Sequence, residues 1–149
     1  MKTSTGISTW KGSWKQGTGT ISTKSGVLKD QFVSFASRFE DAPGASPEEL
    51  FAAAHAACFN QALANNAGMN KLETASIRTA ADIVLGYDEN TGHPQIKSLH
   101  FTVESEIPGA TEEQFEAWLE RARSGCTISK ILNPETLTTT VTGKLIKSK

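Results

Sequence analysis

Three observations predict an α+β fold in a single domain spanning residues 1–149. Residues 1–45 are rich in Thr, Ser, Gly and Trp with short alternating runs, residues 46–68 form a central alanine-rich helix, and residues 69–149 follow as strand, strand, helix, helix, strand. A chain of 149 residues with 38% hydrophobic and 21% charged side chains can bury a core of ordinary size, and it carries no repeat or low-complexity segment.

Residues 1–45 read as strands joined by Gly-centred turns at Gly12, at Gly17, Thr18 and Gly19, and at Ser25 and Gly26. Over 32–39 the alternation puts Val33, Phe35 and Phe39 on one strand face and Ser34, Ala36 and Arg38 on the other. Arg38 is thus expected to point away from the apolar row. A turn through Pro43 and Gly44 delivers the chain to Ser46, a good N-cap. Pro47 has its φ pre-set for a first helical position, and Glu49 stands at capping-box spacing from Ser46. The helix body, about 50–67, lacks proline, and Gly68 is its expected stop. Leu50, Phe51, Ala54, Ala57, Cys58, Gln61 and Ala62 follow the spacing of one helical face, so Cys58 is expected to face packing. The many alanines leave room for other backbone or a partner subunit.

A strand over about 76–86 sets Ile77, Ala81, Ile83 and Leu85 against Arg78, Ala80 and Asp82. A polar hairpin from Tyr87 to Pro94 leads to an antiparallel partner over about 96–107, with Leu99, Phe101, Val103 and Ile107 on one face. Thr111 caps a second helix over 112–124, whose stripe is Phe115, Trp118, Leu119 and Ala122 and whose stop is Gly125. A short third helix over 127–132 starts at Cys126 and ends at Asn133 and Pro134; Leu137, Thr139, Val141 and Leu145 make a last strand.

A net charge of −1 with scattered Lys and Arg gives no electrostatic case for nucleic acid or an anionic membrane. No apolar run approaches the ~20 residues of a membrane span. The opening MKTSTGISTW lacks the apolar centre of a signal peptide, so a cytoplasmic protein is expected. There, two cysteines are buried thiols or redox groups more often than a structural staple.

Cys58 lies in mid-helix, where the macrodipole gives no help and burial disfavours a thiolate. A reactive Cys58 therefore needs a cation, either Arg38, which cannot lose its charge, or His55, three residues back on the same helix. Arg38 is the better activator, because a neutral imidazole does nothing for a thiolate; a packed or interface histidine is the simpler account of His55. Arg38 could equally be a surface partner of Glu40 or Asp41. Cys126, at a helix start, sits where backbone N–H groups favour a thiolate. Peroxide reduction needs two thiols, one to become a sulfenic acid and one to condense with it. A metal site is not expected, since there is no CxxC pair and His55, His93 and His100 show no ligand spacing. Cys-His-Asn hydrolysis stays open as a thin rival, since nothing in the sequence places His55 as its base with a third orienting group.

The segments Gly17-Thr18-Gly19-Thr20-Ile21-Ser22-Thr23, Ser25-Gly26-Val27-Leu28-Lys29-Asp30, Arg38-Phe39-Glu40-Asp41, Ser46-Pro47-Glu48-Glu49-Leu50 and Ala53-Ala54-His55-Ala56-Ala57-Cys58-Phe59, with Cys126 downstream, closely resemble the OsmC/Ohr family of thiol peroxidases. The resemblance covers nearly the whole chain and favours the OsmC branch. It implies an intertwined homodimer with antiparallel sheets, a central buried helix and active sites at the subunit interface. Its implied activity is reduction of organic hydroperoxides, and less efficiently hydrogen peroxide, without a cofactor or metal. By resemblance Cys58 matches the peroxidatic cysteine, Cys126 the resolving one, Arg38 the arginine that stabilises the thiolate and Glu48 the glutamate that holds that arginine. Thr127 stands where a proline commonly follows the second cysteine. The implied cycle runs through a Cys58–Cys126 disulfide and a dithiol reductant of lipoyl type. Phe39, Phe51 and Phe59 are candidate liners of an apolar pocket, and equally ordinary core residues. Glu48 and Cys58 are ten positions apart, ~15 Å along one helix. The Arg38–Glu48 pair serving one Cys58 is therefore expected to come at least partly from the other subunit. The alternative from another class is a non-catalytic thiol redox sensor or small-ligand-binding module.

Overall fold

The computed structural model describes residues 1–132 and 138–147. It has the α+β composition expected, arranged as two compact units, Met1–Leu50 and Phe51–Lys149.

In the first unit, β1 (Gly6–Lys11), β2 (Thr18–Thr23) and β3 (Gln31–Ser34) form an antiparallel sheet in that order. Turns fall at Gly12 and Gly26 as expected, both with positive φ. Gly17, Thr18 and Gly19 do not form one: Thr18 and Gly19 open β2. Gly19 lies opposite Trp10, and a Cβ there would collide with the Thr9 carbonyl oxygen and press on the Trp10 indole. The glycine thus serves a close approach inside the sheet rather than a bend.

The expected strand over 32–39 is only half a strand. After Ser34 the chain turns into α1 (Phe35–Phe39). Ser34 Oγ accepts the Ser37 amide at 3.0 Å while Ser37 Oγ accepts the Ser34 amide at 2.9 Å, a reciprocal capping box. Phe35, Arg38 and Phe39 are spaced three and four apart, so the helix puts them on one side, and the Arg38 guanidinium lies 5.0 Å from the Phe39 ring centroid. Arg38 accordingly joins the apolar row it was expected to avoid.

Helix α2 (Pro47–Met69) starts where the cap pattern says, with Ser46 Oγ accepting the Glu49 amide at 3.0 Å. It runs through Gly68 and stops at Lys71, whose φ of 59° is left-handed. The Leu72 amide reaches Ala67 O at 3.1 Å and the Lys71 amide reaches Gly68 O at 2.9 Å, a Schellman ending that tucks Leu72 against the core. The buried stripe is Ala52, His55, Phe59, Leu63 and Ala67. The expected face is rotated from it: Ala54, Ala57 and Gln61 are exposed and Cys58 is half-buried. Alanine on every side blurs the apolar period, and the large Phe59 and Leu63 decide which side is covered.

The second unit continues with β4 (Ser76–Tyr87), β5 (Pro94–Glu106), α3 (Glu112–Gly125), a 3-10 turn (Ser129–Ile131) and β6 (Thr138–Leu145). β4 and β5 pair antiparallel as expected, with a register shift at Val84/Leu85. β6 pairs parallel to β5, which corrects the expectation of purely antiparallel sheets. The physical reason is the crossover: α3 separates β5 from β6, and a parallel neighbour needs such a connection. Leu99, Phe101, Val103 and Ile107 are at most 2% exposed and meet Phe115, Trp118, Leu119 and Ala122 of α3. Thr111 and Gln114 form the capping box of α3. The third helix expected over 127–132 is reduced to the 3-10 turn; its end at Asn133 and Pro134, and Leu137 of the last strand, lie outside the described residues.

Candidate active site

The four residues singled out divide between the units: Arg38 and Glu48 in the first, Cys58 and Cys126 in the second. Arg38 lies in the last turn of α1 and Glu48 in the first turn of α2. Arg38 Nε donates to both Glu48 oxygens at 3.1 and 3.2 Å, and Nη2 donates to Oε1 at 2.6 Å. A two-point guanidinium–carboxylate fork fixes the plane of the arginine, and Glu48 leaves its Nη1 donors unspent. The partner of Arg38 is thus Glu48, neither Glu40 nor Asp41. Glu49 instead gives its backbone N–H to the helix cap. The fork is half-wet, with side-chain exposures of 37% for Arg38 and 12% for Glu48, so it contributes under about 1 kcal/mol to stability and its worth lies in orientation.

Beside the fork is a groove of about 560 Å³ lined by Trp10, Trp14, Val33, Phe35, Arg38 and Phe39. Trp14 stands edge-on to Phe35 at 5.0 Å and to Phe39 at 6.4 Å, and Phe35 lies 4.8 Å from Phe39. An apolar trough with one oriented cation suits a molecule with a hydrocarbon body and a polar or anionic end. Of the three phenylalanines considered as liners, Phe39 is in this groove. Phe59 is wholly buried and stacked on Phe101 at 4.6 Å, a core residue. Phe51 is edge-on to His55.

In the second unit both cysteines are free thiols, Cys58 half-buried on α2 and Cys126 3% exposed. Cys126 is the C-cap of α3, with extended backbone and its N–H on Ala122 O. Its Sγ accepts the Ser129 amide at 3.3 Å and lies 3.0 Å from Ser129 Oγ. Ser129 Oγ in turn is 2.8 Å from His55 Nε2. A chain of hydrogen bonds therefore runs from the Cys126 sulfur to the residue one helical turn before Cys58. His55 is fully buried, edge-on to Phe101 at 4.8 Å. It is the packed histidine that sequence reasoning favoured, but its polar contact is Ser129, a residue that matches the family pattern after Cys126 and to which that reasoning gave no role. The local half of the signal was legible: a sulfur at position 126 and an amide at 129 have N-cap spacing.

Burial pushes the His55 imidazole below its ordinary value of 6.5, so the folded chain holds the ring neutral. Between that ordinary value and the lower folded one, the unfolded state binds more protons. Stability from this group is complete above 6.5 and is lost as pH falls. On acidification from about pH 7 to about pH 5.5, the wild-type melting temperature is expected to drop more steeply than that of His55→Gln. Equal slopes would contradict a buried neutral ring.

Among the described residues no group of three or more His, Cys, Asp or Glu is placed to hold a metal ion, and no helix is long and apolar enough to cross a membrane. Fold and site together define a class: an α+β chain with two unpaired thiols, one on a central helix and one at the end of the next. The family model described as OsmC-like protein matches residues 39–141, and the chain belongs to that family. It is 40% identical to the peroxiredoxin OsmC of Escherichia coli (strain K12) over 126 residues, 85% of this chain and 87% of that protein. To the organic hydroperoxide resistance protein-like of Staphylococcus aureus (strain bovine RF122 / ET3-1) it is 32% identical over 91 residues, 60% of this chain and 63% of that protein. The crystal structure of the organic hydroperoxide resistance protein OhrB of Bacillus subtilis matches with a TM-score of 0.73 at 26% identity, covering 94% of this chain and 98% of that one. That of an OsmC like protein from Mycoplasma pneumoniae matches with a TM-score of 0.75 at 13% identity, covering 97% and 98%, and shares the fold.

Proposed function

We propose that this chain is a peroxide-detoxifying enzyme, a thiol peroxidase for organic hydroperoxides that works as a homodimer in the cytoplasm, with residues 1–149 as one functional domain. The observation that carries the reading is the linkage of the second thiol: Cys126 is held through Ser129 to His55, three residues before Cys58 on α2. Relatives named peroxiredoxin and organic hydroperoxide resistance protein support the substrate class.

The Cys58 thiolate attacks the O–O bond of ROOH; an S–O bond forms, the O–O bond breaks, and the alkoxide leaves with a proton as ROH. The Cys126 sulfur then attacks the sulfenic sulfur, forming the S–S bond and releasing hydroxide, which is protonated to water. A dithiol of lipoyl type returns both cysteines to thiols through exchange, and neither metal nor organic cofactor takes part. The guanidinium of Arg38, held by Glu48, favours the thiolate and the charge developing on the peroxide oxygen. The Arg38–Glu48 fork serves the Cys58 of the other copy, because Glu48 lies ten residues, ~15 Å, before Cys58 on the same helix. The aromatic groove takes the alkyl part of the substrate, which favours organic over hydrogen peroxide.

The test is steady-state consumption of cumene hydroperoxide and hydrogen peroxide with a lipoyl-type dithiol. Many turnovers, faster with the organic substrate, are expected. Arrest after one equivalent per chain despite excess dithiol would turn the reading into a redox switch, and no consumption would end it.

A further inference from the structure

His55 is a fully buried titratable group that the peroxidase cycle above leaves without a task, and its proton inventory points to one. Its Nε2 faces Ser129 Oγ, while its Nδ1 is buried with no hydrogen-bond partner among the described residues. A neutral imidazole carries one proton. Placed on Nδ1, that proton would be an orphaned buried donor, which proteins avoid more strongly than an unused lone pair. The inventory therefore assigns the proton to Nε2, with Ser129 Oγ as its acceptor. The serine's own proton is then turned toward the nearest remaining acceptor, Cys126 Sγ at 3.0 Å.

We propose that His55 and Ser129 are positioning residues for the resolving step: His55 fixes Ser129 so that its hydroxyl and its amide both donate to the Cys126 sulfur and hold it as an attacking thiolate beside the helical turn of Cys58. The inference rests on the reading of Cys126 as the resolving thiol. Two donors from one residue stabilise negative charge on sulfur, and charge-assisted hydrogen bonds are the strong ones. His55 and Cys58 are three apart on α2, and side chains at that spacing are neighbours with Cβ atoms ~5–6 Å apart. The anchored end of the relay is thus next to the sulfur under attack. In that step the Cys126 thiolate bonds to the sulfur of Cys58–SOH, the S–O bond breaks, and hydroxide departs to become water; the oxidant is the organic hydroperoxide of the preceding step. The charged side chains nearest to Cys126 in the sequence are Arg123, one turn before it and paired with Glu120, and Lys130, next to Ser129. Neither is altered in the variants below.

The test uses full-length protein in two measurements. In the first, rapid mixing with one equivalent of cumene hydroperoxide follows disulfide formation and sulfenic acid trapped by a dione reagent. Ser129→Ala is expected to slow disulfide formation about tenfold with trapped sulfenic acid rising, one lost bond to a charged group being worth that much. Ser129→Thr, which keeps the hydroxyl, and His55→Gln, which keeps an N–H donor, are expected to restore most of the rate. In the second, ultraviolet thiolate absorbance of Cys126 is titrated in the Cys58→Ser background, which needs no peroxide chemistry. Adding Ser129→Ala is expected to move thiolate formation to higher pH. An unchanged disulfide rate, or an unmoved absorbance titration, in folded Ser129→Ala overturns the proposal. A wild-type protein that forms neither sulfenic acid nor disulfide overturns the peroxidase reading instead, while the absorbance titration still judges the donors.

Discussion

Replacing Cys58 with serine is expected to abolish peroxide turnover, with a loss of at least about 1000-fold, while Cys126→Ser keeps its first reaction with peroxide. A serine hydroxyl has no base to activate it on α2, where the neighbouring histidine is committed to Ser129. Cys126→Ser retains the nucleophile and is expected to take up about one equivalent of hydroperoxide per chain as a trappable sulfenic acid. Excess peroxide then drives that acid to the sulfinic state, which a dithiol does not reverse. Wild type is expected to survive the same excess, because in the proposed cycle its disulfide forms first. The check is mass spectrometry of Cys58 and residual activity after a peroxide challenge. Equal, near-normal steady rates in both variants would contradict the assignment.

The second large effect is at Arg38. Arg38→Met is expected to lower kcat/KM about 100-fold, the scale of losing one pre-aimed electrostatic group, and Glu48→Gln about tenfold. The thermal midpoint should barely move, because a half-exposed ion pair adds little to stability. Subunit mixing makes the proposed sharing of the site measurable. In the proposed dimer, Arg38→Met and Cys58→Ser are each expected to be nearly inactive alone, but a mixed pair would have one site with an intact Cys58 and the other copy's Arg38. If the fork serves the partner, re-equilibrated mixtures recover about a quarter of wild-type activity, since half the dimers are mixed and each has one working site. If Arg38 served its own Cys58, mixing would recover nothing.

Where large side chains set the period, the fold was readable from the chain. Leu99, Phe101, Val103 and Ile107 alternate, Phe115, Trp118, Leu119 and Ala122 step by three and four, and all are buried. Where the pattern fits two periods, it misled. Phe35 and Phe39 satisfy both a strand and a helix, and the deciding signal was Ser34 with Ser37, a cap pair read as strand polarity. Helix α2 was placed correctly in the chain but rotated about its axis, because alanine lies on all its sides. The Arg38–Glu48 partnership followed from the family motif and is present as a fork. The Ser129–His55 bond joins residues 74 positions apart, and no local spacing rule reaches that far. The parallel pairing of β6 is likewise a product of the crossover through α3 rather than of its own residues.

In the proposed cycle one hydroperoxide molecule turns two free thiols of one chain into one covalent bond. Peptide mapping by mass spectrometry after adding a single equivalent of cumene hydroperoxide, under non-reducing conditions, tests it directly. A Cys58–Cys126 cross-linked peptide within a chain is expected, with both free thiols consumed together and restored by dithiol. Two intact thiols, or a Cys58–Cys58 link between copies, would contradict it.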